Sequence, residues 1–218
     1  MKPSDVAVLV LAAGAGSRFS AGLPGTDQPA RDGVAASKLL APLDGRPVLE
    51  HVLDRAAELR SAATVVVLGS GPAADSIEAS IAWRQERRVI NAHPERGLAS
   101  SLRVGLVEMA RPELASTGAA LIMLGDQPRV RLGVMRALLA AAAATPMSLI
   151  VAPRYAEGGG SNPLLVRRAA WPLAAEMEGD RGFGPLLRAR PDLVLFVDVS
   201  GTNPDVDTPA DLAHLSRA

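Results

Sequence analysis

Residues 6–19 read VAVLVLAAGAGSRF, and no other stretch narrows the possible folds as much. The run over 6–12 is apolar without a break, the pattern of a strand covered on both faces. It stops at Ala13-Gly14-Ala15-Gly16-Ser17-Arg18. Lacking a Cβ, Gly14 and Gly16 let the main chain turn sharply and approach a ligand closely. Successive N–H groups in such a turn point at an anion, and Arg18 adds a permanent charge whose planar fork suits phosphate. A buried strand, a glycine turn and an arginine together predict a nucleotide-phosphate site. The turn alone is not diagnostic, because the third glycine of GxGxxG is missing and GxxxxGK[ST] is absent.

The rest of the chain alternates strand and helix patterns. Pro47 opens a helix over 47–60 with Val48, Val52, Leu53, Ala56 and Leu59 on one stripe. A strand over 64–68, a helix over 73–83, a short strand over 88–91 and a helix over 98–110 follow. The clearest later strand, 119–124, ends in Gly125-Asp126-Gln127-Pro128. Beyond it come an alanine-rich helix over 132–144, a strand over 147–152 and a flexible glycine segment over 157–163. Residues 164–176 read as mostly helical with a break at Pro172, and 193–199 as the last strand. Thr208, Pro209 and Asp211 then form a strong helix start. This alternation predicts an α/β fold: a three-layer, Rossmann-like, open and mostly parallel sheet with helices on both faces. One domain over 1–218 is expected, with a flexible Gly/Pro/Ser/Asp-rich loop at 20–37.

Composition excludes several classes of function. Lys plus Arg and Asp plus Glu both number 23, so the formal charge is zero and no footprint for nucleic acid or an anionic membrane exists. With no cysteine there is no disulfide, thiolate metal site or cysteine nucleophile. Aromatic residues are only 3%, so Ala, Val and Leu must build the core. The first apolar run is too short to span a bilayer and lacks the features of a signal peptide, which makes a cytoplasmic protein the expectation.

In open α/β sheets ligands lie beyond the carboxyl ends of the strands. The first strand delivers Gly14, Gly16 and Arg18 there, the strand over 119–124 delivers Asp126, and the last delivers Asp198, Asp205 and Asp207. Basic groups at one strand end and carboxylates at two others suit Mg²⁺–nucleotide chemistry, since Mg²⁺ needs one or two carboxylates besides phosphate oxygens and water. Plainer readings stay open for some of these. Asp126 precedes a proline turn, and Asp205 and Asp207 precede a helix whose dipole favours acids. His51, His93 and His214 lack ligand spacing, Arg87-Arg88 reads as a solvated strand edge, and Trp83 and Trp171 read as packing residues.

The segments LAAGAGSRF, KLLAPLDGRPVL, NAHPERGLASSLRVGL, LGDQP, GGGSNPLL, GDRGFGPLL and DVDTPADL follow one another along the chain. In that order they resemble the MobA-like NTP transferases, and within them the molybdenum-cofactor cytidylyltransferases. The resemblance implies a nucleotide-diphospho-sugar transferase type of fold and transfer of CMP from CTP to the terminal phosphate of a molybdopterin-type cofactor, with Mg²⁺ and release of pyrophosphate. It implies a catalytic set of Arg18, Lys38 and Asp126. The nucleotide would be held by Leu11, Ala12, Ala13, Gly14, Gly16, Arg18, Lys38, Gly97 and Ser101, with Ser101 the first candidate for reading the base. Asp126 would coordinate the metal with Asp207 or Asp205, while Asn162, Pro163, Gly179, Asp180 and Gly182 would face the acceptor. The recipient molybdoenzyme or its chaperone is a further implied partner; nucleic acid and membrane are not.

Leu11-Ala12-Ala13-Gly14 matches the LAAG of CTP-using relatives, where guanylyl enzymes read LAGG, and the Ala13 methyl narrows the space beside the base. Two features depart from the family pattern. The spacer between Arg18 and Lys38 is long, which predicts that Lys38 reaches the site when the loop closes as a lid. Asn162 precedes Pro163 where some relatives carry histidine, which leaves the acceptor open. Alternatives are guanylyl or other nucleotidyl transfer to a different phosphorylated acceptor such as a sugar phosphate, or a non-catalytic nucleotide-binding chaperone. The presence of Arg18, Lys38 and the acidic residues argues against the last.

Overall fold

The computed structural model of the chain describes residues 1–14, 19 and 37–216. Gly16, Arg18 and the expected 20–37 loop, apart from Ser37, lie outside the described residues. In chain order the elements are β1 (Val6–Ala12), β2 (Pro42–Leu43), β3 (Arg46–Pro47), α1 (Val48–Glu58), β4 (Ala63–Leu68), α2 (Pro72–Ser80), β5 (Arg87–Ile90), α3 (Leu98–Met109), β6 (Ala119–Leu124), α4 (Leu132–Ala144), β7 (Ile150–Tyr155), β8 (Leu164–Arg167), α5 (Gly184–Ala189), β9 (Val194–Val199) and α6 (Pro209–Leu215). A seven-stranded sheet runs β5-β4-β1-β6-β8-β7-β9, and β2 and β3 pair separately.

Strand β1 lies between β4 and β6 and is parallel to both. None of its residues is more than 7% exposed, which is why its sequence lacks alternation. The period of two still sorts its side chains. Val6, Val8, Val10 and Ala12 pack with Leu49, Val52 and Leu53 of α1 and Met135 and Leu138 of α4. Ala7, Leu9 and Leu11 pack on the other face against Ala99, Leu102, Leu106 and Met109 of α3. Each fully buried Leu or Val contributes roughly 1.5–3 kcal/mol, so two aliphatic cores hold the three layers together with few aromatics.

Residues 164–176 are helical only in their second part, and there as a 3₁₀ rather than an α-helix. Leu164–Arg167 is β8, antiparallel to β6 and β7, and makes the sheet mostly rather than wholly parallel. Leu164, Leu165 and Val166 are 5%, 0% and 0% exposed, an unbroken burial that a strand between two others provides and a surface helix does not. Arg168–Glu176 coils as a 3₁₀ segment containing Pro172, which has no N–H for an α-helical bond. Trp171 fastens it: its Nε1 donates to the Val166 carbonyl at 3.1 Å, and the Arg168 guanidinium lies 4.2 Å from its ring centre.

Smaller boundaries also shift. Helix α2 stops at Ser80 because Ile81 is extended. Trp83, beyond the helix, is half-buried beneath the Arg88 guanidinium, which also pairs with Glu78 on the sheet edge. Strand β7 begins at Ile150, leaving Met147 87% exposed. His51 contacts the Leu43 carbonyl and His93 faces Glu95, the structural and solvated places expected of them. Among the described residues no helix is long and apolar enough to cross a membrane.

Candidate active site

A pocket of about 450 Å³ opens where β1 and β6 end, bounded by Leu11, Ala12, Ala13 and Gly14 on one side and Asp126 on another. The two strand ends are tied by a hydrogen bond from Gly125 N to the Leu11 carbonyl at 2.9 Å, so Asp126 follows one residue beyond the paired ladder. Lys38 enters from a short 3₁₀ turn capped by the Ser37 hydroxyl, which accepts from Leu39 N. Asp205 and Asp207 arrive from the segment before α6. Between them Val206 is fully buried with Phe19, Leu43, Val48 and Leu215, and its N–H donates to the Asp126 carbonyl at 2.9 Å. Thr208 and Asp211 then cap α6 reciprocally, and the Thr208 hydroxyl holds the Asp211 carboxyl below its ordinary range.

The charges meet at Lys38. Its ammonium is 2.6 Å from Asp126 Oδ2 and 2.7 Å from Asp207 Oδ1. Burial pulls the Lys38 pKa down, but the two carboxylates outweigh it and hold the amine charged above its ordinary range. Asp205 is shifted the other way: burial and then repulsion from Asp126 raise its pKa, against a hydrogen bond from Gln127. Lys38 stands in the pocket, fixed by its carboxylate partners, and the loop on which the lid expectation depends lies outside the described residues apart from Ser37.

Asp126 Oδ1 is buried with no hydrogen-bond partner among the described residues. Such an atom is costly in a native interior unless something positive meets it. With Asp205 and Asp207 nearby, the donor set is all oxygen, as hard divalent cations prefer. No group of three or more His, Asp or Glu side chains among the described residues is already gathered for a metal. One or two carboxylates are enough for Mg²⁺ when phosphate oxygens and water complete its shell, so the residues fit.

The far wall is the amino-terminal end of α3. Asn91, 2% exposed, donates from Nδ2 to Ser101 Oγ at 3.0 Å and accepts at Oδ1 from His93 N and Ser100 Oγ, which fixes Ser101 at the pocket wall. Gly97 has φ +82°, and a Cβ there would lie 2.5 Å from the Gly179 carbonyl carbon. The 179–182 segment thus rests on the start of α3, where Leu98 N donates to Asp180 Oδ1 at 3.2 Å. A carboxylate at that position also complements the helix dipole.

The residues predicted to face the acceptor are therefore divided. Asp180 lines the pocket beside Gly97 and Leu98. Asn162 and Pro163 do not line it; the Asn162 carbonyl accepts from Tyr155 Oη and Asn203 Nδ2 instead. Leu11, Ala12, Ala13, Gly14, Lys38, Gly97, Ser101, Asp126, Asp205 and Asp207 all border one space, whereas Gly16 and Arg18 lie outside the described residues. Sequence reasoning missed Asn91, Gln127 and Asn203, buried polar residues at 2%, 4% and 3% exposure. Gln127, adjacent to Asp126 in GDQP, and Asn91, which opens NAHPERGL, carried a signal that could have found them, whereas Asn203 did not.

The sequence model of the MobA-like NTP transferase domain matches residues 8–194. The bifunctional protein GlmU of Paracidovorax citrulli is 32% identical over 148 residues, covering 67% of this chain and 27% of that protein. The chain thus spans about a quarter of the length of the curated relatives it matches. Among solved structures, Rv0371c from Mycobacterium tuberculosis H37Rv superposes with a TM-score of 0.79 at 28% identity, covering 100% of both chains. A manganese complex of the same protein gives a TM-score of 0.76 at 27% identity over 98% of each chain.

Proposed function

The chain belongs to the MobA-like NTP transferase domain family, a nucleotidyltransferase family, and from that premise we propose that it transfers CMP from CTP to the terminal phosphate of a molybdopterin-type cofactor. The observation that carries this reading is Lys38 held between Asp126 and Asp207 in a pocket that also takes in Ala13, Gly14 and Ser101. In it a phosphate oxygen of the acceptor attacks the α-phosphorus, the bond to the β-phosphate oxygen breaks, and pyrophosphate leaves. The nucleophile is already anionic at neutral pH, so alignment and charge stabilisation replace a general base.

Lys38, kept protonated by its carboxylate neighbours, would turn its ammonium toward the phosphate oxygens around the reacting phosphorus. Arg18 and the glycine turn would hold the triphosphate. Asp126, with Asp205 or Asp207, would hold Mg²⁺, which when bound neutralises charge developing on the phosphoryl oxygens. Ser101, anchored by Asn91, retains a hydroxyl proton to offer the base, and the Ala13 methyl favours a pyrimidine. Asp180 would face the acceptor within the pocket, and the 162–163 segment, which does not line that space, would meet it outside.

The test is pyrophosphate release from CTP and from GTP, each with and without a molybdopterin acceptor. Release that requires both CTP and the acceptor is expected. Equal use of GTP, or release with a sugar phosphate in place of molybdopterin, would replace the substrate assignment. Nucleotide binding with no acceptor-dependent release would make the protein a binding module.

A further inference from the structure

A line of buried amides leads away from the carboxylates of the pocket. Gln127 Nε2 donates to Asp205 Oδ1 at 2.5 Å. Asn203 Nδ2 donates to Gln127 Oε1 at 2.9 Å and to the Asn162 carbonyl at 3.2 Å. Tyr155 Oη donates to that same carbonyl at 2.9 Å, and burial pushes the phenol up to about 12, so it remains a donor. Gln127 and Asn203 are 4% and 3% exposed.

The polarity of this line is fixed from both ends. An ionised carboxylate only accepts, so Gln127 must present its NH₂ to Asp205 and its oxygen to Asn203. A main-chain carbonyl also only accepts, so Asn203 must present its NH₂ to Asn162 as well as to Gln127. That orientation leaves Asn203 Oδ1 buried without a hydrogen-bond partner among the described residues. Apolar side chains of similar size would fill the same space without a desolvated orphan. Two amides held in one orientation despite it are the mark of residues that aim something.

We infer that Gln127 and Asn203 are positioning residues, fixing the Asp205 carboxylate in register with the loop that carries Asn162 and Pro163. Gln127 sets which Asp205 oxygen is tied back and which stays available to a cation, and Asn203 ties that setting to the acceptor-side loop. The inference rests on the nucleotidyl-transfer reading for the meaning of the two ends, but the hydrogen-bonded line itself does not.

The experiment uses the full chain with Gln127→Met and Asn203→Leu, and Mn²⁺ as the probe. Mn²⁺ binding is read by the electron paramagnetic resonance of the free ion, with a non-hydrolysable CTP analogue present, and thermal midpoints are recorded alongside. Outer partners of metal-binding carboxylates are typically worth 10–100-fold in affinity. Gln127→Met is therefore expected to weaken Mn²⁺ binding by about tenfold or more, and Asn203→Leu to weaken it in the same direction by less. Neither is expected to change analogue binding measured without metal by more than about twofold, because both amides lie behind the pocket wall. Wild-type Mn²⁺ affinity in the variants, with only the thermal midpoint moved, overturns the inference and leaves the nucleotidyl-transfer reading standing. Weakened Mn²⁺ binding in an enzyme that releases no pyrophosphate with any acceptor supports the inference and removes that reading instead. Should Gln127→Met not fold, Asn203→Leu decides by the same readout.

Discussion

The ammonium of Lys38 lies 2.6 Å from Oδ2 of Asp126, on the carboxylate whose other oxygen is buried without a hydrogen-bond partner among the described residues. One carboxylate thus faces a fixed cation at one oxygen and keeps a buried oxygen without a hydrogen-bond partner among the described residues at the other. A unit charge a few ångströms away repels a second by about 1–4 kcal/mol at the dielectric of a protein surface or of water. Lys38→Met is therefore expected to tighten Mn²⁺ binding in the absence of nucleotide by about fivefold or more. Titration followed by electron paramagnetic resonance checks this; unchanged or weaker binding would show that the ammonium and the metal do not share Asp126.

The same lysine is expected to be indispensable for turnover. Lys38→Ala and Asp126→Ala should each lower the rate of pyrophosphate release by at least ~10²-fold, the scale of losing one preorganised electrostatic contact. Near wild-type rates in either variant would remove that residue from the transfer step.

Asp205 gives a pH signature in the nucleotide-free protein. Burial and then Asp126 raise its folded pKa above the ordinary aspartate value. Between those two values the folded state binds more protons than the unfolded one, so stability falls as pH rises through that window. The penalty is fully present above the raised value and vanishes below the ordinary one. Asp205→Asn keeps an acceptor for Gln127 and removes the charge. It is expected to raise the thermal midpoint at neutral pH and to converge on wild type as the pH drops below the ordinary aspartate range. A constant difference at every pH would contradict this origin.

Gly97→Ala meets both a backbone that favours glycine and the Gly179 carbonyl carbon at 2.5 Å. Strain at such a φ and forced overpacking together cost at least ~2 kcal/mol. Denaturant midpoints should register that loss, and nucleotide affinity should fall with it because Ser101 sits on the same helix turn.

Thr208→Ala is a contrasting case, since the capping box stabilises α6 without touching the pocket centre. It is expected to cost about 1 kcal/mol, read as a lower denaturant midpoint, and to change turnover far less than Lys38→Ala.

The central strands were legible because burial on both faces leaves a plain trace, an apolar run with no alternation, as in β1 and β6. That same trace misled at Leu164–Val166. A short apolar run suits a buried helix or a strand, and only β6 and β7 on either side decide between them. At the site, Asp126, Asp205 and Asp207 could be named because charged residues beyond strand ends stand out in a sequence, and Lys38 through the family resemblance of the segment that carries it. The roles of Asn91, Gln127 and Asn203 were not legible even where a motif contained them, because what matters about a buried amide is its partner, and partners such as Asp205 and Asn162 are set by the fold. The meeting of Gly97 with Gly179 was hidden for the same reason: each glycine alone reads as a turn.

The link from Val206 N to the Asp126 carbonyl also gives the pocket a birth order. A chain leaving the ribosome presents its glycine turn first, Lys38 and Asp126 later, and Asp205 and Asp207 last of these. Until residues 205–207 emerge, Lys38 can neutralise only Asp126, and α6 has no capped start against which Val206 could seat. A nascent chain halted before this point carries the parallel strands of the sheet centre but lacks two of the pocket's acids, so the pocket is assembled only once a segment distant in sequence from its glycine turn has been made.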